Sequence, residues 1–314
     1  MTPPWDCDLV IIGGGPAGLT TGIYAGRARL CAFLIEKLIH GGQMMTTDLV
    51  ENYPGFPEGI SGPDLSDRMR QQAERFGLKI VTGEVKELIP GNPSDPAHTI
   101  VLEDRRVKTP TVVIAAGASY KHLGVPGEKE LIGKGVSFCA TCDGALYRDQ
   151  EIAMVGGGDT ALSEVIFLTR FAKKIHLIHR RDALRGAKYL QEQVLKNKKV
   201  EVHWDSMVEE FQGNEALESV KLRNVKTGEV TDLGVTGCFI AIGITPNTEW
   251  LNGLLPTDQW GFIVTDQEMV TQIPGIFAAG DVRSKELWQI ATAVGDGAIA
   301  AYSVEKYLDK IRER

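Results

Sequence analysis

Two glycine-rich turns standing in register constrain this chain more than any other feature. Gly13-Gly14-Gly15-Pro16-Ala17-Gly18 follows an apolar run at 9–12, and Gly156-Gly157-Gly158-Asp159-Thr160-Ala161 follows another at 152–155. Each run reads as a short buried strand. Behind each turn the sequence predicts a helix, over 19–29 and 162–171, and then a second strand, over 31–35 and 175–178. From Gly13 to Glu36 is 23 residues, and from Gly156 to His179 is also 23. A strand, a glycine turn and a helix whose amino end faces that turn make a seat for a pyrophosphate. A lone G-x-G-x-x-G says little, but a second strand and an acid at the right distance make the first copy a strong signal. Glycines 13, 15 and 18 allow the tight turn, the close approach of phosphate and close helix packing, and Pro16 and Ala17 complete the turn. One βαβ unit has been used twice.

The rest of the chain arranges itself around these copies. Val-Val-Ile-Ala-Ala-Gly at 112–117 and Cys-Phe-Ile-Ala-Ile-Gly at 238–243 are strand-plus-glycine segments that would each close the fold around its own ligand, ending on Gly117 and Gly243. A third such segment, Ile276-Phe277-Ala278-Ala279-Gly280-Asp281, comes after both copies and is assigned back to the first. The expected class is therefore α/β, with two Rossmann-like dinucleotide-binding domains, the second inserted into the first. The first would comprise 1–119 and 248–314, and the insert 120–247. The crossings near 120–125 and 244–247 carry Gly or Pro, as linkers often do. A length of 314 residues fits two domains of about 100–200 each.

Composition narrows the class without naming a partner. Hydrophobic content of 43% and charged content of 24% are those of a soluble globular protein. A net charge of −7 argues against a nucleic-acid binder. No apolar run approaches the roughly 18 residues of a membrane span. The start, Met1-Thr2-Pro3-Pro4-Trp5-Asp6, has no basic or apolar signal region and is expected to run directly into a strand. Of five cysteines only two are closely spaced, which is no disulfide framework. The expectation is a cytoplasmic protein, with neither membrane nor nucleic acid as partner.

The chemistry sits at three places. Glu36, at the end of the second strand, suits hydrogen bonds to ribose hydroxyls. At the matching place the insert offers His179-Arg180-Arg181, with Arg185 beyond. A carboxylate repels a 2′-phosphate and guanidinium groups bind one, so Gly158, Asp159, Thr160 and Ala161 with this cluster point to NADPH over NADH. A solvated basic loop is the competing reading. Ala161 stands where the third glycine would be, a change the fingerprint tolerates. The third place is Cys139-Ala140-Thr141-Cys142-Asp143. A Cys-x-x-Cys pair can close into a small ring and reopen, holding or releasing two electrons. Half of a zinc site, or two inert thiols, are the alternatives, and no second Cys or His pair exists to complete a zinc site. Asp143, beside the dithiol and partly desolvated, can act as general acid and base, or be an exposed turn residue before Gly144. The other three cysteines are expected in the core. His40, His98, His122, His176 and His203 show no metal spacing, and Met44-Met45 reads as core packing.

These residues resemble the low-molecular-weight thioredoxin reductases over essentially the full chain. The matching segments are 13–19, Gly41-Gly42-Gln43, Val50-Glu51-Asn52-Tyr53-Pro54-Gly55-Phe56-Pro57, 139–144, 156–161, 179–182 and Gly280-Asp281. The resemblance implies FAD on the first domain, NADPH on the second, a homodimer, and a thioredoxin-like protein as substrate. It implies that Cys142 is the sulfur next to the flavin, that Cys139 attacks the partner's disulfide, and that Asp143 moves the proton. Gly42, Gln43, Asn52, Val85, Gly117, Gly280, Asp281 and Gln289 would border the flavin cofactor, and Gly243 the nicotinamide one. It further implies rotation of the insert between two arrangements. Two departures stand out: Trp288 precedes Gln289 where the family usually has a basic residue, and Ser163 replaces a common second acid beside Glu164. A dithiol oxidase of the same fold has no need of Arg180, Arg181 and Arg185. The reductase component of a peroxidase system usually carries an extra amino-terminal redox domain. A flavin-bearing redox sensor would not turn over NADPH.

Overall fold

Four consecutive buried residues, Leu9, Val10, Ile11 and Ile12, form the centre of the first sheet. The computed structural model describes residues 6–313 except 39, 48 and 93, with the backbone alone at Thr46; the first five residues of the expected run into a strand therefore lie outside the described part. Packing divides the chain into two units. One contains Tyr53–Ser119, the chain up to Thr47 and the chain from Thr245 onward; the other contains Tyr120–Ile244 and a short segment ending at Asn52.

In the first unit β1 (Leu9–Ile12) leads through α1 (Pro16–Arg27) to β2 (Ala32–Glu36), and α2 (Gly62–Arg75) leads to β3 (Lys79–Thr82). A small antiparallel sheet follows, β4 (Glu87–Ile89), β5 (His98–Val101) and β6 (Arg106–Thr109), before β7 (Thr111–Ile114) returns beside β1. The crossing strand β8 (Ala118–Tyr120) ends this part.

The insert runs through α3 (Glu128–Leu131), β9 (Val136–Ser137), α4 (Ala140–Asp143), β10 (Glu151–Gly156), α5 (Asp159–Leu168), β11 (Lys174–Ile178), α6 (Lys188–Lys196) and β12 (Val200–His203). A second antiparallel sheet, β13 (Ser206–Gln212), β14 (Ser219–Asn224) and β15 (Val230–Gly234), precedes β16 (Gly237–Ala241). The return crossing β17 (Ile244–Pro246) pairs with β8, and the chain ends with β18 (Ile276–Ala278) and the long helix α7 (Ile290–Arg312).

Both large sheets are parallel and share one order. The first is β18-β7-β1-β2-β3 and the second β9-β16-β10-β11-β12. Ile276 pairs with Val112, so the third strand-plus-glycine segment closes the first sheet. In the insert that outer slot is taken by β9, where Cys238 pairs with Val136. The two antiparallel sheets had no signal in the glycine spacing. Short alternating strands such as His98–Val101 bury one face only, which a search for fully apolar runs passes over.

Helix starts come earlier than the sequence suggests. Leu19 N–H donates to Gly15 O at 2.9 Å and Leu162 N–H to Gly158 O at 3.1 Å, so residues read as turn already form the first helical turn. Pro16, with φ preset and no N–H to lose, opens α1. Its end comes at Arg27, because Arg29 adopts a left-handed φ of 59°.

The crossings are fixed locally on each side. Asn247 N–H donates to Gly117 O at 3.0 Å and Asn247 Nδ2 to Ala116 O at 2.8 Å within the first unit, while Lys121 N–H donates to Gly243 O at 3.0 Å within the second. Just inside the insert, Glu128 is 1% exposed and organises the entering chain. Its Oε1 accepts from Leu123 N–H at 3.1 Å and lies 3.0 Å from His122 Nδ1, and its Oε2 accepts from Gly124 N–H at 2.6 Å. Charge-assisted bonds of this kind contribute about 1.5–3 kcal/mol each. Glu128→Ala is expected to destabilise the insert by about 3 kcal/mol and Glu128→Gln by less, read as a lower urea midpoint at unchanged slope.

Candidate active site

Each glycine turn leaves one position open. In the first unit a Cβ on Gly13 would lie 2.3 Å from Ala115 O, and one on Gly18 would lie 1.9 Å from Gly13 O. A Cβ on Gly15 would meet nothing within 4 Å. The first and third glycines thus let the turn sit against β7 and α1, while the second faces free space suited to a pyrophosphate. Alongside runs a cleft of about 610 Å³ whose lining includes Gly13, Glu36, Val85, Ala116, Asn247 and Trp250. Glu36 is held at its edge: Oε2 accepts from Gly14 N–H at 2.7 Å and Oε1 from Leu38 N–H at 3.0 Å. Both oxygens keep further lone pairs for ribose hydroxyls.

The other expected residues of this unit have individual settings. Asp281 Oδ1 is sealed from water, with Lys285 Nζ 3.3 Å away as its ion-pair partner. Burial pushes the Asp281 carboxyl up, against the pull of Lys285. A sealed oxygen with spare acceptor capacity beside Gly280 fits a hydroxyl-bearing ligand chain. Gly280 N–H itself donates to Asp296 Oδ2 at 3.1 Å. Gln43 Nε2 donates to Ala118 O, and Gln289 caps α7 reciprocally with Thr292. Pro16 and Ala17 open α1, Ala17 buried beneath Gly280; Gly42 and Gly117 adopt left-handed φ values of 60° and 66°. Asn52 is exposed, on a short segment that is grouped with the other unit.

The second turn repeats the plan. A Cβ on Gly156 would lie 2.6 Å from Ala241 O and from Ala161 Cβ, and one on Gly158 would meet nothing within 4 Å. The Ala161 methyl takes up space that a side chain on Gly156 would need, so the alanine is accommodated by the bare Cα of that glycine. Asp159 Oδ1 accepts from Ala187 N–H at 2.7 Å, while Arg185 N–H donates to Gly157 O at 2.7 Å, tying the 180–187 loop to the turn. Arg180, Arg181 and Arg185 are exposed, and Thr160 lies in the first turn of α5. His179 differs: it is 5% exposed, with Nδ1 3.0 Å from Gly156 O and Nε2 3.0 Å from Ala183 O. Its ring braces the turn, as Glu36 does in the first copy, but through carbonyls instead of an N–H. Gly243, at φ 117°, closes the crossing beside Lys121.

The cysteine pair follows β9, in the slot where the first unit has β18 and Gly280-Asp281. Cys139 and Cys142 are joined as a disulfide with Cα atoms 5.3 Å apart. The turn closes through Cys142 N–H and Asp143 N–H, both donating to Cys139 O, at 3.2 and 3.1 Å. Ser137, buried at the end of β9, accepts from Cys139 N–H at 3.1 Å and donates to Asp143 Oδ2 at 2.5 Å. Asp143 is therefore half-buried and oriented within the turn. Ser137 escaped the sequence reading; its only signal was a hydroxyl two residues before the first cysteine.

Residues 7–297 match the pyridine nucleotide-disulphide oxidoreductase family. A thioredoxin reductase from Listeria innocua is 46% identical over 307 residues, covering 98% of this chain and 95% of that one. One from Bacillus subtilis is also 46% identical, covering 98% and 96%. The crystal structure of thioredoxin reductase from Streptococcus pyogenes superposes with a TM-score of 0.93 at 48% identity, covering 97% of this chain and 98% of that one.

The chain belongs to the thioredoxin reductases.

Membership implies a flavin and a pyridine nucleotide as cofactors, and the open glycine positions and the sealed Asp281 oxygen of this reductase fit dinucleotides. Among the described residues, no helix of the reductase is long and apolar enough to cross a membrane. Two expectations need correction. Cys31 is exposed, not core, because it precedes β2 at the sheet's end, while Cys7 and Cys238 are buried, the Cys7 thiol pushed up to about 12 by burial. The histidines were read as lacking partners at metal spacing, yet β11 and β12 bring His176, Glu201 and His203 within 4.8 Å of one another. His176 Nδ1 is hydrogen-bonded to His203 Nε2 at 2.9 Å and Glu201 pairs with Lys174 at 2.5 Å, so these groups satisfy each other.

The two third positions of the reductase's turns predict opposite tolerances. Gly18→Ala forces a methyl into a carbonyl and is expected to cost at least about 3 kcal/mol, with loss of bound flavin. Ala161→Gly is expected to cost about 1 kcal/mol. Urea denaturation and the flavin-to-protein absorbance ratio check both.

Proposed function

We infer that this chain is a thioredoxin-disulfide reductase carrying FAD on the unit that holds Gly13 and Glu36 and taking NADPH on the unit that holds Arg180, Arg181 and Arg185. The observation that carries the reading is the Cys139–Cys142 disulfide, with Asp143 oriented by Ser137, in a unit whose own glycine turn is flanked by arginines instead of an acid. Accordingly 1–119 with 248–314 is the flavin domain, and 120–247 the nicotinamide domain bearing the dithiol.

A bound flavin supplies two-electron exchange between the nicotinamide and the cysteine pair. The protein's own residues do the rest. Gly15 and Gly158 leave room for the pyrophosphates, and Glu36 accepts from ribose hydroxyls. Asp281 accepts from the flavin's side chain, and the arginines hold the 2′-phosphate. Cys142 is the sulfur that would exchange electrons with the flavin, and Cys139 Sγ attacks the disulfide of a thioredoxin-like protein. Asp143, through Oδ2, holds and returns the proton that the sulfurs need. The nicotinamide site and the dithiol both belong to the inserted unit, so they use one flavin in turn by rotation of that unit about β8 and β17. The enzyme works as a homodimer in the cytoplasm, which light scattering and fractionation test.

Anaerobic titration of the purified yellow protein with NADPH or NADH, then with thioredoxin, tests the whole reading. Bleaching by NADPH and recovery on adding oxidised thioredoxin are expected; no recovery refutes it. Arg180→Ala with Arg181→Ala should raise the apparent NADPH constant at least about tenfold with little effect on NADH. Equal loss for both nucleotides would refute the 2′-phosphate assignment. Cys139→Ser and Cys142→Ser should each abolish thioredoxin reduction while leaving flavin bleaching by NADPH intact. Asp143→Asn should slow the sulfur steps, followed by stopped-flow absorbance, without changing flavin content.

A further inference from the structure

Glu164 has no part in the chemistry above, yet it reaches the dithiol turn. It lies on α5, which packs against α4. Counted from the first glycine of each turn, it stands where Thr21 stands on α1. In the first unit Thr21 Oγ1 bonds to Gly297 O of α7 at 3.2 Å. In the insert the same helical position carries a carboxyl, and the segment it meets is the cysteine turn. Glu164 accepts a hydrogen bond from the backbone N–H of Ala140, which is 0% exposed and lies between the two cysteines. Its second oxygen, Oε2, is sealed from water and has no hydrogen-bond partner. A carboxylate placed so would be costly to keep charged, whereas a carboxylic acid would not.

We propose that Glu164 is a positioning residue for the dithiol, gripping the cysteine turn through the Ala140 N–H and taking up a proton when the disulfide is opened. Two electrons, delivered by the enzyme's own reductant, break the Cys139–Cys142 bond. One proton goes to one sulfur, the other sulfur remains a thiolate, and a second proton goes to the Glu164 carboxylate. When the partner's disulfide is reduced, its two sulfurs receive both protons, the Cys139–Cys142 bond re-forms, and Glu164 returns to carboxylate.

The electrostatics around Glu164 favour this. Burial pushes its carboxyl up to about 7, opposed by the Ala140 N–H. No charge on the elements against α5 contributes to that shift. On α4, Asp143 is bonded to Ser137. Glu151 on β10 pairs with Lys173, and Lys174 on β11 with Glu201. His176 on β11 pairs with His203, and on α6 Lys196 pairs with Glu192 while Lys188 is exposed. β16 offers only the buried Cys238. A new thiolate in the turn would therefore be the dominant charge Glu164 meets, and like charges raise a carboxyl further. The sign follows. Below pH 7 the carboxyl is protonated in both redox states and adds nothing. Above pH 7 it is ionised beside the disulfide but protonated beside the thiolate, so rising pH opposes reduction more than the sulfurs alone would.

The test equilibrates the flavin-loaded enzyme with dithiothreitol buffers between pH 6 and 8.5, traps free thiols by alkylation and counts them by mass. The ratio of wild-type to Glu164→Gln equilibrium constants is expected to be flat below pH 7 and to fall above it, by up to about tenfold per pH unit. A flat ratio throughout overturns the proposal. Should Glu164→Gln fail to fold, the infrared difference spectrum of the wild type on reduction replaces it. A carboxylic-acid carbonyl band appearing on reduction, and kept in Asp143→Asn, supports Glu164; absence of that band, or its loss in Asp143→Asn, overturns it. The proposal rests on the dithiol reading, and the two fail differently. If dithiothreitol frees no thiols, the redox pair itself is wrong; thiols freed with no extra proton remove only the role of Glu164.

Discussion

The contact on which both halves of this molecule depend is that of a bare glycine Cα with the carbonyl end of a neighbouring strand. Gly13 lies so close to Ala115 O that a methyl would stand 2.3 Å away, and Gly156 lies in the same relation to Ala241 O at 2.6 Å. That approach turns the chain sharply at the carboxyl end of the central strand, where doubly wound folds hold their ligands. It also aims the first N–H groups of α1 and α5 at the open space beside Gly15 and Gly158. Sheet order, cleft and helix direction follow from this one steric allowance, made twice.

From that common frame the two copies diverge through polarity. At the end of β2 a carboxylate braces the glycine turn by accepting an N–H; at the end of β11 an imidazole braces it against a carbonyl. The structural task is the same, but the sign of the neighbourhood is reversed. The first leaves an acceptor at the edge of the cleft. The second places three exposed guanidinium groups on a loop tied to the turn through Gly157 O. A phosphate on the ribose would be repelled by a carboxylate and attracted by guanidinium groups, which is the ground for the proposed NADPH preference.

The same divergence applies to the outer strand. In one unit the slot beside β7 is filled by β18 and leads to Asp281, whose Oδ1 is sealed; in the other the slot beside β16 is filled by two residues, Val136 and Ser137, and leads to the disulfide. The dithiol thus sits where the fold already brings a chain end close to the helix of the glycine turn. Polar side chains from three elements gather around it: Ser137 on β9, Asp143 on α4 and Glu164 on α5.

The sequence alone determined whatever is written as spacing along the chain. The paired turns, the 23-residue register, the insertion, the cysteine pair and the contrast of Glu36 with the arginines are all local patterns, because pleat, helix and tight turn are each decided within a few residues. Helix ends were less legible, since first-turn hydrogen bonds such as Leu19 N–H to Gly15 O lie inside the motif itself. Only the tertiary structure decided which groups meet across chain distance. Parallel pairing of β11 with β12 brought His176 beside His203, 27 residues on. The turn before β2 left Cys31 in water, and α5 packing on α4 set Glu164 against Ala140. Side-chain chemistry is written in the chain, but burial and partner are set by packing, and these fix how strongly a carboxyl holds its proton and whether a thiol can react.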